Sequence, residues 1–341
     1  MHIDSNSTRP HLRHRVCATL ALIGLAGTCL PQTVSAQSYP THPLRFVVGV
    51  PPGGTVDLLA RLLATPLSAA LGQPVLVDNR PGAASRIGAE YVAKSAPDGY
   101  TIMITSNTNS IVTAGAMING VKLAYDLVKD FQAVSNLVAA PYALAVRADS
   151  PIGSTKEFIA MARAKPDSVT FGSSGIGAVD HLAGALFASM AGVKLLHVPH
   201  KGMGAFTTAL LGGEITSAFA SMPALVPFVK SGKIKLLATL GSKRVALFPD
   251  LPTVAESGPL PGYDMIAWLG VVTVAGTPRA IVDRLNSELN RIVQNPQFVK
   301  EHLAPLSLEP VGSTPESMLS MVQAEIPIYA RIIKENGIVL E

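Results

Sequence analysis

The chain has 341 residues, of which 48% are hydrophobic and 15% charged, and its formal net charge is +4 at pH 7. This small charge gives no broad field for nucleic acid, and the length suits two domains better than one. Both cysteines, Cys17 and Cys29, lie in the first 36 residues. The rest of the chain therefore contains no disulfide, thiol nucleophile or cysteine-bound metal.

Residues 1–36 are predicted to be a secretory signal peptide that is removed. Three arginines precede an apolar stretch, and small residues ending at Ala36 suit signal peptidase. The apolar stretch is shorter than the roughly 20 residues that a membrane-spanning helix needs. The segment therefore indicates export to the periplasm, with a retained membrane anchor or a lipoprotein anchored at Cys29 as the alternatives.

Strand and helix patterns alternate through the rest of the chain. Strands are predicted at 44–50, 74–77, 100–104, 144–146, 169–171, 194–198, 217–220, 235–239 and 270–274. Helices are predicted between residue 54 and Gly72 and at 89–95, 155–165, 179–191, 205–211, 278–294 and 316–336. This alternation predicts an α/β protein with largely parallel sheets.

Two glycine-rich loops each lead from a predicted strand into a predicted helix. In the first, Pro51-Pro-Gly-Gly-Thr-Val-Asp57, two glycines let the backbone approach a ligand, and the N–H groups of the next helical turn suit an anion. A tight turn capped by Thr55, with Asp57 in the first helical turn, fits the local pattern equally well. Asp57 and Arg61 are four residues apart and are expected to pair on the helix.

The second loop, Phe171-Gly-Ser-Ser-Gly-Ile-Gly-Ala-Val-Asp-His181, has the same chemistry, with Ser173 and Ser174 as additional hydroxyl donors. A dinucleotide-binding loop needs glycine where Asp180 stands, and a nucleophile elbow needs glycine where Ile176 stands. The loop is therefore expected to bind an anion rather than to serve an enzyme. Two such helix starts in different halves of a chain are typical of a protein whose lobes close on one ligand.

The remaining candidate side chains give weaker signals. His197 and His200 point to opposite faces of a strand without a nearby acid, so no metal site is expected. His181, at a helix start, is expected to orient a loop. The segment Lys201-Gly-Met-Gly204 either lines the same cleft or forms a solvated turn, and Trp268 belongs either to a pocket wall or to the core.

After the signal, the sequence resembles the Bug/TctC family of substrate-binding proteins of tripartite tricarboxylate transporters over nearly its whole length. The motifs that carry this resemblance include Pro51-Pro-Gly-Gly-x-x-Asp57, Asp78-Asn-Arg-Pro-Gly-Ala83, Pro97-Asp-Gly-Tyr100, Gly172-Ser-Ser-Gly-x-Gly177, His197-Val-Pro199 and Phe248-Pro-Asp-x-Pro-Thr253. Each motif is weak alone, but their order and spacing together are specific.

The resemblance implies a two-lobed type II periplasmic-binding-protein fold with a ligand cleft between the lobes. Domain 1 would comprise residues 37–140 and 246–341, and domain 2 residues 141–245. It also implies a ligand carboxylate held mostly by backbone amides. The residues to which ligand contacts carry over are Gly53, Gly54, Thr55, Asp57, Ser173, Ser174, Gly175, Gly177 and Ala178, with His181, Lys201, Gly202 and Ala205 close by.

Four departures from the family pattern affect what the cleft is expected to bind. Ala178 stands where serine is usual, His200 where tyrosine is common, and Gly49-Val50 where Pro-Phe is common. These three are expected in or near the cleft. Ala84-Ser-Arg86 replaces a glycine-rich run. The departures leave the expected fold unchanged and the identity of the acid open.

The expected function is capture of a small organic acid in the periplasm and its transient delivery to membrane permease subunits. We expect a monomer that binds no nucleic acid, uses no cofactor or metal and has no catalytic activity. A ligand sensor that docks on a membrane receptor is the alternative. A hydrolase or other enzyme is the third interpretation, and it lacks a triad, a metal cluster or a valid cofactor loop.

Overall fold

The computed structural model describes residues 39–258, 260–335 and 337. The predicted signal peptide, residues 1–36, lies outside this described part. Within it, no helix is both long enough and apolar enough to cross a membrane.

Within the described residues, eleven strands form two sheets. The first sheet contains β1 (Leu44–Val48), β2 (Val75–Asn79), β3 (Thr101–Ser106), β4 (Phe131–Ala140), β10 (Ala267–Val274) and β11 (Glu309–Pro310). Its strand order is β11-β4-β10-β3-β1-β2. The second sheet contains β5 (Tyr142–Arg147), β6 (Thr170–Ser173), β7 (Leu196–Pro199), β8 (Ser217–Ser221) and β9 (Ile234–Thr239), in the order β7-β6-β8-β5-β9.

The helices separate or follow these strands. They are α1 (Thr55–Leu71), α2 (Arg86–Ala93), α3 (Asn107–Asn119), α4 (Thr155–Ala164), α5 (Val179–Ala191), α6 (Met203–Gly212), α7 (Met222–Lys230), α8 (Val254–Ser257), α9 (Arg279–Val293), α10 (Pro296–Phe298) and α11 (Pro315–Glu335). A π-helical turn (Val299–Leu303) and a 3-10 turn (Ala304–Leu306) follow α10. We call the first sheet with its helices the first lobe, and the second sheet with its helices the second lobe.

Both sheets are mixed, so the prediction of largely parallel sheets was wrong. β1 is parallel to β2 and β3, and β6 is parallel to β7 and β8. β10 is antiparallel to β3 and β4, β11 to β4, and β5 to β8 and β9. Parallel neighbours need a crossover connection. Only Pro141 joins β4 to β5, so the chain passes to the second sheet without a crossover helix. The chain returns to the first sheet from the second at β10, which likewise follows no crossover within the first sheet.

The chain thus leaves the first sheet after residue 140 and returns to it at residue 267. This path is the one expected for two lobes that share both ends of the chain in the first lobe. The predicted domain limits after residues 140 and 245 themselves stay a prediction.

Trp268 belongs to the core rather than to a pocket wall. All eight residues of β10 are buried, because the strand has a neighbour on each side and helices pack against the sheet. The Trp268 side chain is 7% exposed, and its indole N–H donates to Glu325 of α11 at 2.9 Å. This bond satisfies the one polar group of a buried tryptophan and ties the last helix to the first sheet.

Candidate functional site

A cavity of about 730 Å³ lies between the loops of the two lobes. The first lobe lines it with residues 49–52, 54–56 and 81–86, and the second lobe with residues 174–176, 178–179 and 199–205. Its volume falls within the roughly 300–1,000 Å³ of small-molecule sites. Both glycine-rich loops therefore meet at one cavity, as the sequence predicts.

In the part of the chain that the structure describes, six helices begin at this cavity, namely α1, α2, α3, α5, α6 and α7. The residues that precede their first turns all line it, and these are Gly54, Ser85, Ser106, Ala178, Gly202 and Ser221. The first N–H groups of a helix have no partner within the helix and carry partial positive charge. Six such starts around one cavity create a strongly anion-attracting environment.

Five of these six helices also lack a side-chain cap, the exception being α3, where Ser106 accepts from the Thr108 N–H. Away from the cavity, α4, α8 and α10 are capped by Ser154, Thr253 and Asn295, whereas α9 is not. A side-chain cap would occupy the N–H groups that an anion needs. Three first-turn N–H groups are already used, since those of Arg86, His181 and Met222 donate to Ala83 O, Asp180 Oδ1 and Pro141 O. The absence of side-chain caps leaves the other first-turn donors for a ligand.

The charges on the cavity wall have one sign. Arg86 and Lys201 line it. None of the described residues that line the cavity is an aspartate or a glutamate. The described residues also hold no cluster of three or more His, Cys, Asp or Glu side chains arranged for a metal ion. Side-chain charge and helix dipoles thus both favour an anion.

The first loop is held from behind by Asp57, which is 3% exposed. Its carboxylate accepts from the Gly53 N–H at 3.0 Å, from Arg61 Nε at 3.0 Å and from Asn79 Nδ2 at 2.8 Å. The predicted pairing of Asp57 with Arg61 is confirmed. Burial opposes ionisation, but the bonds from Arg61, Gly53 and Asn79 outweigh it and hold the pKa of Asp57 below its ordinary value.

Thr55 joins the two lobes at the same place. Its Oγ1 lies 2.5 Å from Ser221 Oγ, and Ser221 Oγ donates to Met203 Sδ at 3.2 Å. Thr55 belongs to the first lobe, and both of its partners belong to the second. The structure therefore has the cleft closed at this point.

The second loop is held by a buried carboxyl group. Asp180, which is 1% exposed, accepts from Ser174 N at 3.0 Å, Ser174 Oγ at 2.5 Å and His181 N at 2.9 Å. Burial raises the pKa of Asp180 to about 6, against the opposing effect of these bonds. The Ser174 hydroxyl proton is therefore directed at Asp180 and away from the cavity.

Two stacked histidines support the same loop. The His181 and His197 ring centroids are 4.0 Å apart, the Gly177 N–H donates to His181 Nδ1 at 3.1 Å, and His197 Nε2 lies 2.6 Å from Ser173 Oγ. Burial, together with the neighbouring imidazole, lowers the pKa of His181 to about 3. Burial likewise lowers the pKa of His197 to about 4. Both rings are therefore neutral near pH 7.

The predicted site residues divide into two groups. Those that line the cavity are Gly54, Thr55, Ser174, Gly175, Ala178, Lys201, Gly202 and Ala205. Those that do not line it are Gly53, Asp57, Ser173, Gly177 and His181. Ser173 is fully buried and the Ser174 hydroxyl donates to Asp180, and the ligand contacts expected for these two serines stay a prediction. The other ligand contacts stay a prediction.

Segment 81–86 also lines the cavity. Ala84–Arg86 was not expected there from the sequence. The backbone of this segment has positive φ at Gly82 (134°), Ala83 (46°), Ala84 (49°) and Ser85 (74°). Positive φ is uncommon outside glycine, and such strain concentrates at ligand sites. The position of this segment after β2, whose carboxyl end lies beside that of β1, is the signal that points to the cleft.

The strained segment also explains Gly49. A Cβ atom built at Gly49 would lie 1.8 Å from Ser85 Oγ, so no larger residue fits beneath this turn. The departure from Pro-Phe at 49–50 and the departure at 84–86 are thus in contact and compatible with each other.

The buried histidines predict a loss of stability in acid. In the unfolded chain histidines titrate near pH 6.5, so acid protonates the unfolded state first and the free energy of unfolding falls below that pH. Asp180 opposes this below pH 6, because burial raises its folded pKa to about 6, above the ordinary value of 3.8. Between pH 6 and 4 the unfolded chain binds two protons at these histidines, and the folded chain binds one at Asp180. The difference of about one proton lowers the free energy of unfolding by about 1.4 kcal/mol for each pH unit of acidification.

Denaturant unfolding at several pH values checks this expectation. His181→Gln keeps an acceptor for the Gly177 N–H and removes one of the two histidines. It should therefore reduce the slope of unfolding free energy against pH by about 1.4 kcal/mol per pH unit. An unchanged slope in His181→Gln would contradict the assignment.

Comparisons with known proteins agree with the anion-attracting geometry of the cavity. The family described as tripartite tricarboxylate transporter family receptor (TctC) matches residues 59–338. Protein BugT of Bordetella pertussis is 34% identical over 322 residues, which cover 93% of this chain and 97% of that protein.

Two solved structures from Rhodopseudomonas palustris are also similar. Rpa4515 with adipate is 34% identical with a TM-score of 0.84, covering 88% of this chain and 99% of that one. MatC with bound malate is 30% identical with a TM-score of 0.79, covering 86% and 100%. The predicted family and the two-lobed fold are confirmed, and the chain belongs to the TctC family of tripartite tricarboxylate transporter receptors.

Proposed function

We propose that this protein is an exported, non-enzymatic receptor that captures a small carboxylate between its lobes and delivers it to membrane permease subunits. The observation that carries the proposal is the set of six helix starts at one cavity whose described lining contains basic but no acidic side chains. The predicted signal peptide supports a periplasmic location, and the family supports a permease as the partner.

The ligands of two structural relatives support a carboxylate. Adipate and malate are both small dicarboxylates, and they are bound by Rpa4515 and MatC. Helix N-termini and a basic residue at the rim are the donors that a carboxylate group needs.

The serines of the second loop support binding rather than hydrolysis. Ser173 lies next to His197, an arrangement that can activate a nucleophile, but Ser173 is 0% exposed and does not line the cavity. Ser174 lines the cavity but bonds to Asp180 instead of a histidine. Neither hydroxyl is placed to attack a bound substrate.

Thermal unfolding of the chain without residues 1–36 tests the proposal against a panel of mono-, di- and tricarboxylates. A bound acid at 100 times its Kd should raise the free energy of unfolding by about 2.7 kcal/mol. Uncharged amides of the same acids serve as the ligand control. If no acid in a broad panel stabilises the protein, carboxylate capture is wrong.

Lys201→Gln should weaken binding of a stabilising acid about fivefold, because a charge at an exposed rim contributes about 1 kcal/mol. Lys194→Gln is the matched control, since Lys194 is also exposed but does not line the cavity. Isothermal titration calorimetry at low salt measures both variants. Equal affinities in the two variants would exclude Lys201 from the ligand site.

A further inference from the structure

We propose that Ser221 is a positioning residue which, through its bond to Thr55, keeps the cleft closed and slows the release of the captured acid. The proposal rests on the proposed function and concerns how long the protein retains its ligand. It gives a role to Ser221, for which the sequence predicts none, and it adds closure of the cleft to the ligand contact predicted for Thr55.

The bond joins two buried hydroxyl groups that belong to different lobes. Thr55 is 7% exposed, Ser221 is 1% exposed, and their hydroxyl oxygens are 2.5 Å apart. Thr55 is the first residue of α1 in the first lobe, and Ser221 is the last residue of β8 in the second lobe. Both line the cavity, so the lobes separate at this point only if the bond breaks.

The bond lies away from the connection between the lobes. The chain crosses between them at Pro141 and again just before β10, and β3 separates β10 from β1, the strand that leads to Thr55. Neighbouring strands are about 4.8 Å apart, which places the end of β1 about 10 Å from the crossing. A rotation of the lobes about the crossing therefore moves Thr55 away from Ser221.

The hydroxyl group of Ser221 is not used as its position in the chain predicts. Ser221 immediately precedes α7, and a serine in this position commonly accepts from an N–H group of its own helix. Ser221 makes no such bond. Its hydroxyl donates to Met203 Sδ at 3.2 Å, which directs the Thr55 hydroxyl proton at Ser221 Oγ. The side chain thus stabilises the contact between the lobes instead of the end of its helix.

The first turn of α7 also offers few donors to an anion. The Met222 N–H donates to Pro141 O at 2.8 Å, and Pro223 has no N–H group. Two of the first three residues of this helix therefore have no donor for a carboxylate. This helix start serves closure of the cleft more than it serves contact with the acid.

Loss of one partner affects the closed form more than the open form. In an open cleft water can bond to either hydroxyl group, whereas a closed cleft buries the remaining hydroxyl without its partner. The acid enters an open cleft and leaves only after the cleft opens again. Its dissociation rate should therefore rise, while its association rate stays nearly constant.

Ser221→Ala tests this role in stopped-flow and calorimetric measurements on the chain without residues 1–36. The probes are adipate, malate and any other acid of the panel that stabilises the protein. We expect the dissociation rate of a bound acid to rise about fivefold and its association rate to change by less than about twofold. The same factor should apply to each acid that binds, because the bond joins protein to protein.

Ser217→Ala is the matched control. Ser217 also lies in β8 and is fully buried, but its hydroxyl donates to Thr170 O within the second lobe at 2.9 Å. It does not line the cavity, so Ser217→Ala should release the acid at the wild-type rate. Unfolding curves show that both variants fold.

Thr55→Val and the double variant distinguish closure from direct contact with the acid. Thr55→Val removes the hydroxyl group and keeps the branched shape of the side chain. Removing both polar partners leaves neither hydroxyl buried without its partner, so the double variant should release the acid no faster than Ser221→Ala alone. If the two hydroxyl groups instead bound the acid separately, their effects on the dissociation rate would multiply.

The outcomes separate this role from the proposed function. If an acid binds and Ser221→Ala releases it at the wild-type rate, or if the two single effects multiply, the role in closure is wrong while carboxylate capture stands. A change in the association rate alone also overturns it. If no acid of the panel binds to the wild type, carboxylate capture fails, and this role fails with it.

Discussion

Gly202→Ala is expected to weaken binding of the captured acid about tenfold or more. Gly202 precedes the first turn of α6 with φ 96° and ψ 167°, a backbone region that is almost restricted to glycine. A Cβ atom there would lie 3.1 Å from Pro51 Cγ and 3.2 Å from Pro51 Cδ. Pro51 belongs to the opposite lobe, so the added methyl group acts against closure of the cleft as well as on the backbone.

The matched control is Gly192→Ala, which separates backbone strain from closure. Gly192 also has positive φ, at 61°, and follows α5 in the same lobe, but a Cβ atom there would contact nothing within 4 Å. Both variants should lose about 1–3 kcal/mol of unfolding free energy through strain. Only Gly202→Ala should lose affinity in calorimetry. If the two variants bind equally well, the contact between Pro51 and Gly202 has no part in closure.

The elements that sequence reasoning predicts well are those whose ends are marked by glycines. α5 (Val179–Ala191) has the predicted bounds, because a glycine-rich loop precedes it and Gly192 ends it in the left-handed conformation. α1 was placed correctly for the same reason, between Gly54 and Gly72. Glycines near both ends of a helix are local signals, so they indicate where the helix begins and ends without any knowledge of tertiary contacts.

The elements that were missed are those whose pattern depends on tertiary burial. α3 (Asn107–Asn119) is buried at eight of its 13 residues, including Asn107 and Asn109, so its polar residues do not mark a solvent face. β4 (Phe131–Ala140) is buried at eight of its ten residues, so it shows no alternation. α7 (Met222–Lys230) contains Pro223 and Pro227, which locally suggest a break.

The candidate site was predictable only where a single loop carries it. The two glycine-rich loops were found, but the bond between Thr55 and Ser221 joins residues 166 apart. The use of the Ser173 and Ser174 hydroxyls likewise depends on His197 and Asp180 behind the loop. Local sequence shows which side chains are present near a cleft, whereas their available protons depend on contacts made by the folded chain.

Asp180→Ala is expected to lower the free energy of unfolding by about 3 kcal/mol and to weaken ligand binding about tenfold. The carboxyl group of Asp180 accepts from two backbone N–H groups, those of Ser174 and His181, and from the Ser174 hydroxyl. Leaving a buried donor without a partner costs about 1–3 kcal/mol each. The loss of affinity follows because residues 174–176 line the cavity and would no longer be held in one conformation.

Asp180→Asn distinguishes the geometry of this group from its charge. Asp180 Oδ1 accepts both backbone N–H groups, and the asparagine Oδ1 can do the same, while its amide can donate to Ser174 Oγ. We therefore expect Asp180→Asn to bind within about threefold of the wild type, measured by calorimetry. Because burial already raises the pKa of Asp180 to about 6, removing its charge costs little. If Asp180→Ala is destabilised but binds like the wild type, the loop does not need this carboxyl group to present its N–H groups to the acid.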